Sequence, residues 1–282
     1  MIRLDYYIRR KPSLSVAKFQ QYWRDVHAPL WERHADALGI RRHIHWEDRP
    51  DHPMAAPTRE AYKIGGEPFD GVGTSMWADI RVLEAALQTE LGQAAYQEIL
   101  SDEANFIDHG RSYLGFGVEH AIAYDREKLY ATKDAEFVRG IYWPNCLEGH
   151  GIDEIHRHWI AVHGGLSHDF AVGSANRRYM QVHAGNYDLY HQFLSDRNMK
   201  INPLYFGHAE AITSPEEVEK AAKLNRPDEL FQYFIDDIDN FADPATAYFG
   251  FGKEYLVVDK QIYTKPLPKP IPRGERLPYK DW

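Results

Sequence analysis

Two tryptophan–histidine pairs, each four residues apart, are the part of this sequence best suited to chemistry. Trp23 and His27 lie in FQQYWRDVHAPL at 19–30, and Trp159 and His163 lie in IHRHWIAVHGGL at 155–166. On a helix that spacing puts indole and imidazole on one face. A neutral imidazole against an aromatic wall is a general acid or base near neutral pH. The plainer alternative gives the histidine to the helix end, bonding its last carbonyls and packing on the tryptophan.

A second cluster sits in GIRRHIHWED at 39–48. On a strand, Arg41, His43 and His45 share one face, and Arg42, Ile44 and Trp46 take the other. Tyr6 and Tyr7, with Tyr142 and Trp143, are aromatics of two further strands and suit a core or pocket wall. Tyr179, His183 and His208 extend the set toward a second pocket. Asp108 is a carboxylate available to orient His27 if the fold brings the two together. His43-x-His45 and His156-x-His158 lack carboxylates at ligand spacing, so a metal has no support. Cys146 has no local base to make it a nucleophile. No phosphate loop, GxGxxG or GxSxG is present, and no histidine is singled out as an axial haem ligand. The expected chemistry therefore uses no cofactor.

The elements that position these residues occur twice. Trp23, Val26, His27 and Leu30 recur as Trp159, Val162, His163 and Leu166, and Arg41-Arg42 recurs as Arg177-Arg178. DEANFIDHGRSYLGFGVEHAIAYD at 102–125 matches DIDNFADPATAYFGFGKEYLVVD at 237–259. Three collinear blocks at offsets of 135–136 residues mark a duplication. In the first copy, strands are expected at 3–10, 39–48, 72–80 and 113–124. A helix from Val16 is expected to stop near Pro29, and a second covers 81–100. The order is βαββαβ. The second copy repeats it, with SPEEVEKAAKL at 214–224 as its second helix. NYDLYHQFLSDRNMKINP at 186–203 is inserted in place of a Pro-rich loop. Such a unit covers one sheet face with helices and leaves the other bare, and two units can cover each other.

The 282 residues are 44% hydrophobic and 13% aromatic, enough for sizeable cores, and carry a formal charge of −9. That charge argues against a nucleic-acid partner. No apolar run approaches a membrane span, MIRLDYYIRRK has no signal-peptide core, and the single cysteine suits a reducing compartment. A cytoplasmic protein is expected, with homo-oligomerisation left open.

RRKPSLSVAKFQQYWRDVHAPL, with DEANFID at 102–108, resembles the opening and closing signatures of EthD-type domains. The second copy diverges, with HGGL for HAPL and no Lys-Pro. The resemblance implies an α+β fold: two fused ferredoxin-like βαββαβ units, 1–126 and 127–263, forming an intramolecular dimeric α/β barrel. A Pro-rich tail at 264–282 follows. It also implies a small hydrophobic or aromatic substrate. The expected function is histidine acid/base chemistry, lyase-type first (decarboxylation or elimination). Cofactor-free monooxygenation of an electron-rich aromatic and non-catalytic binding are the alternatives. His27 and His163 are the candidate catalytic residues. Tyr7, Trp23, His43, His45, Trp46, Trp143, Trp159, Tyr179, His183 and His208 are the candidate pocket residues.

Overall fold

Side-chain alternation along the strands decides the architecture. In β1 (Ile2–Ile8), Leu4, Tyr6 and Ile8 pack into one hydrophobic core, whereas Tyr7 packs into another. Each strand thus has two buried faces and needs cover on both. A computed structural model describes residues 1–124, 138–173, 178–213 and 229–260. The further strands are β2 (Arg42–Asp48), β3 (Gly71–Trp77), β4 (Tyr113–Tyr124), β5 (Val138–Cys146), β6 (Arg178–Ala184), β7 (Gly207–Thr213) and β8 (Ala242–Asp259). They close into one barrel in the order β1-β3-β2-β8-β5-β7-β6-β4. Every strand pairing is antiparallel. The first half contributes β4-β1-β3-β2 and the second β8-β5-β7-β6, joined at β2–β8 and β4–β6.

The barrel interior holds large buried side chains at two levels. At one level Tyr7, Trp46, Phe69, Val72, Ile141, Trp143, Tyr205 and Tyr248 form a buried cluster. At another, the guanidiniums of Arg3, Arg139 and Arg178 meet Asp5, Glu119, Glu210 and Glu254. Arginines this deeply buried persist only because each charge has a partner. Arg3 and Arg139 occupy equivalent places in the two halves, as do Arg42 and Arg178.

Helices cover the outside. In the first half they are α1 (Val16–Tyr22), α2 (Ala28–His34), α3 (Ala55–Ala61), α4 (Ile80–Leu87) and α5 (Glu90–Glu103). In the second they are α6 (Ile152–His158), α7 (Gly164–Gly173), α8 (Asp188–Asp196) and α9 (Glu229–Ile238). Ser15 caps α1 by accepting from Lys18 N–H, as expected of a serine there. Two expectations are corrected. The helix expected over 81–100 is two helices, because Thr89 leaves helical geometry and caps α5. The helix from Val16 does not stop at Pro29, which falls in the first turn of α2, where a missing N–H costs little. No helix among the described residues is long and apolar enough to cross a membrane. The helix at 214–224, the tail at 264–282 and the boundary at 126/127 lie outside the described residues.

The β2–β3 and β6–β7 connections cross over. Phe193 and Leu194 of α8, with Met199, pack into the core under the first half's helices. Tyr62 and Ile64, which follow α3, pack into the core under the second half's helices. Each half therefore lends an arm to the other's helix-covered face. The insertion at 186–203 does not merely replace a loop: it completes the first half's outer core.

Candidate active site

Trp23–His27 and Trp159–His163 are each one turn of π-helix between α-helices. The wider turn carries Ala28 N–H to the Trp23 carbonyl. Such turns insert an extra residue and are frequent at functional sites. Here they bury both members of each pair, so the shared face comes from a π-turn rather than from plain α-helical spacing. Each tryptophan lies over a strand glycine. A Cβ on Gly71 would fall 2.3 Å from Trp23 Cζ3, and one on Gly207 would fall 3.1 Å from Trp159 Cζ3. Gly71→Ala should therefore destabilise the fold by about 1–3 kcal/mol and displace Trp23. Chemical denaturation with tryptophan emission as the probe measures both effects.

His27 Nδ1 lies 2.7 Å from Asp102 Oδ2, and Asp102 Oδ1 accepts from the Tyr22 hydroxyl at 2.6 Å. On the other side of the ring, Trp31 Nε1 donates to His27 Nε2 at 2.8 Å. An indole N–H only donates, so Nε2 carries the lone pair and Nδ1 the proton, directed at the carboxylate. Burial pushes the Asp102 carboxyl up, but the hydrogen bonds from His27 and Tyr22 outweigh it and hold it below the ordinary range. A carboxylate fixing the tautomer of a histidine whose far nitrogen carries the lone pair is the arrangement of a general base.

β2 supplies the wall. His45 stacks on Trp23 at 4.1 Å and 16°, and His43 stacks on Trp31 at 4.2 Å and 14°. His43 Nδ1 pairs with Ser75 Oγ at 2.8 Å, while His43 Nε2 and both His45 nitrogens have no partner. Burial, reinforced by the neighbouring imidazoles, pushes both histidines well below their ordinary value. These two residues are enclosed rather than solvated at a strand edge. Between them, Tyr6 and His27 lies a cavity of about 20 Å3, the size of one water. Arg197, just after α8, closes it, donating to both oxygens of Glu103 at 2.6 and 2.7 Å.

The second half repeats the dyad and alters its surroundings. His163 Nδ1 lies 2.9 Å from Asp237 Oδ2, and His158 Nε2, at the place of Tyr22, lies 2.9 Å from Oδ1. Burial lowers the His163 pKa against the pull of Asp237. Trp159 stacks on His183 at 5.0 Å and 7°, and His156 stacks on the same ring at 4.5 Å. Gln181, at the place of His45, is spent on the Trp159 carbonyl at 3.0 Å. Tyr179 stands for His43 and Ser167 for Trp31. Tyr62 from the first half's arm packs on Tyr142 at 5.6 Å.

Several candidates lie elsewhere. Tyr7, Trp46 and Trp143 point into the barrel, across the sheet from either dyad. The period-2 alternation that puts His43 and His45 under the helices sends Trp46 the other way. His208 is also interior, bonded to the Tyr7 hydroxyl at 2.6 Å and to Glu210 at 3.1 Å, not in the second pocket. Asp108 opens the short helical turn at His109–Arg111; Asp102 is the carboxylate that meets His27. Asp102, Asp237, Trp31 and Arg197 were not singled out. The two aspartates head the matching blocks at 102–125 and 237–259, and that was their signal. A larger cavity of about 390 Å3 lies between the β6–β7 arm and the barrel mouth, over Tyr205, and touches neither dyad. Among the described residues no group of three or more His, Cys, Asp or Glu side chains is arranged to hold a metal.

Neutral buried histidines make stability depend on pH. His43, His45 and His183 have folded pKa values below the ordinary 6.5, that of His183 down to about 3. Below pH 6.5 the unfolded chain binds protons that the folded one refuses. Stability is therefore full above about pH 6.5 and falls as the pH drops beneath it. Urea midpoints between about pH 8 and pH 5 should decline, and His183→Phe, which keeps the stack, should flatten the slope.

The EthD domain family matches residues 11–110. No curated protein matches the sequence. A solved structure described as an anthrone oxidase-like protein aligns over 92% of this chain and 94% of its own, with a TM-score of 0.53 and 10% identity. A candidate monooxygenase from Lactobacillus acidophilus NCFM aligns over 92% and 95%, with a TM-score of 0.48 and 9% identity. The first likeness establishes the α/β-barrel fold. The segment that matches the EthD domain carries Trp23, His27, His43, His45 and Asp102.

Proposed function

We propose that the first half houses a cofactor-independent oxygenase, in which His27, oriented by Asp102, removes a proton from an electron-rich aromatic. The observation that carries this is the unprotonated Nε2 of His27, marked by the indole N–H it accepts. The carbanion or phenolate so formed gives electrons to dioxygen. Capture of one oxygen atom turns an activated ring CH2 into a carbonyl, and the other leaves as water with both hydrogens of that CH2, one being the proton His27 removed and the second lost from carbon as the O–O bond breaks. The neutral, stacked His43 and His45 offer an apolar aromatic wall for such an anion. Decarboxylation or elimination, the first expectation from the residues, has less support. A substrate carboxylate would need a cation, and the guanidinium lining this cavity, Arg197, is already paired with Glu103.

The same reading takes the halves as tandem ferredoxin-like copies, 1–126 and 127–263, of which the second has become a scaffold. Anthrone is a fitting probe, given the description carried by a neighbour of the same fold. One dioxygen consumed per ring carbonyl formed supports the reading. Carbon dioxide release without oxygen uptake returns the site to lyase chemistry. Binding without turnover leaves a carrier protein.

A further inference from the structure

We propose that the Trp31 indole holds the substrate's place in the closed protein, and that the substrate is a planar aromatic whose own O–H or N–H replaces the indole N–H on His27. This rests on the reading of His27 as the base. Trp31 does what such a ligand would do: it lies flat on His43 at 4.2 Å and gives a hydrogen bond of 2.8 Å to His27 Nε2. The remaining space, about 20 Å3, admits nothing larger than water, so an aromatic enters only where the indole now is. Trp23 cannot yield that place, because it is wedged between the π-turn and Gly71 in the core. Trp31 can, being only half-buried on α2.

The polar atoms left over describe the ligand further. His43 Nε2 and both nitrogens of His45 are buried at the cavity without partners. Buried polar atoms are ordinarily satisfied, and a second hydroxyl on the ring would reach them. The ligand is thus a hydroxylated, fused-ring aromatic rather than a hydrocarbon. The second half carries Ser167 in place of Trp31 and Tyr179 in place of His43, so neither the displaceable ring nor its platform is repeated.

The probes are 1-naphthol and naphthalene, with binding followed by calorimetry. Trp31→Phe keeps an aromatic ring and removes the competing N–H. It should tighten 1-naphthol about tenfold by lifting the population of the open state, and naphthalene by less than about threefold. Adding His27→Ala should abolish the gain. In the unmutated protein, the Trp31 Nε1–H resonance should lose its hydrogen-bonded shift as 1-naphthol saturates. An unmoved resonance, or an equal gain for naphthalene, overturns the proposal. The expected binding pattern without oxygen uptake would overturn the oxygenase reading alone. His27-dependent oxygen uptake with no effect of Trp31→Phe would overturn this proposal alone.

Discussion

His27→Ala should lower kcat/KM for oxygen-dependent turnover by about 10²–10⁴-fold, the range for loss of a positioned base, while His163→Ala leaves it within about twofold. The asymmetry is the point of the prediction, because the two histidines have equivalent carboxylate partners at 2.7 and 2.9 Å. What differs is the space beside the ring. Both rings pack on equivalent phenylalanines, Phe106 at 4.9 Å and Phe241 at 5.0 Å, but His27 also faces a cavity walled by His43 and His45, whereas His163 packs on Phe234 at 4.5 Å. Asp102→Asn keeps the shape but removes the charge that stabilises the imidazolium formed during turnover. It should cost at least about tenfold in kcat with little change in KM. Equal losses for His27→Ala and His163→Ala would mean that both halves react.

The second large effect is on folding. Arg197→Met should destabilise the protein by about 3–5 kcal/mol, because it leaves the Glu103 carboxylate buried and unpaired. Both partners are almost wholly buried, and the guanidinium also donates to the Tyr96 hydroxyl at 3.0 Å. The double change Arg197→Met, Glu103→Leu should recover most of the loss, since an apolar pair of similar volume carries no desolvation cost. Denaturant midpoints of the single and double variants measure the coupling. The same experiment tests the exchange of arms, because Arg197 comes from the β6–β7 connection and Glu103 from α5 of the other half. If Arg197→Met is neutral, the arm does not anchor the first site.

The repeat carried much of this fold. Offsets of 135–136 residues linking Trp23 to Trp159, His27 to His163 and the GFG strands were enough to place eight strands and a shared barrel. Three things were not legible, each for a physical reason. A π-turn has no propensity signature distinct from the α-helix around it. The side of a doubly buried strand cannot be read from hydrophobicity, so Tyr7 and Trp46 were grouped with His27 although the sheet separates them. The crossing of the arms, which brings Arg197 to one site and Tyr62 to the other, depends on contacts far apart in sequence. Asp102 was within reach, as the first residue of a block repeated at Asp237.

Proton removal by His27 is the central claim, and it can be watched apart from oxygen. Under argon, mixing the protein with a tricyclic aromatic probe whose anion absorbs in the visible should give a stable anion band. His163→Ala should give the same band, His27→Ala none, and admitting air should bleach it. No anion in the unmutated protein, or an equal band in His27→Ala, would contradict the account.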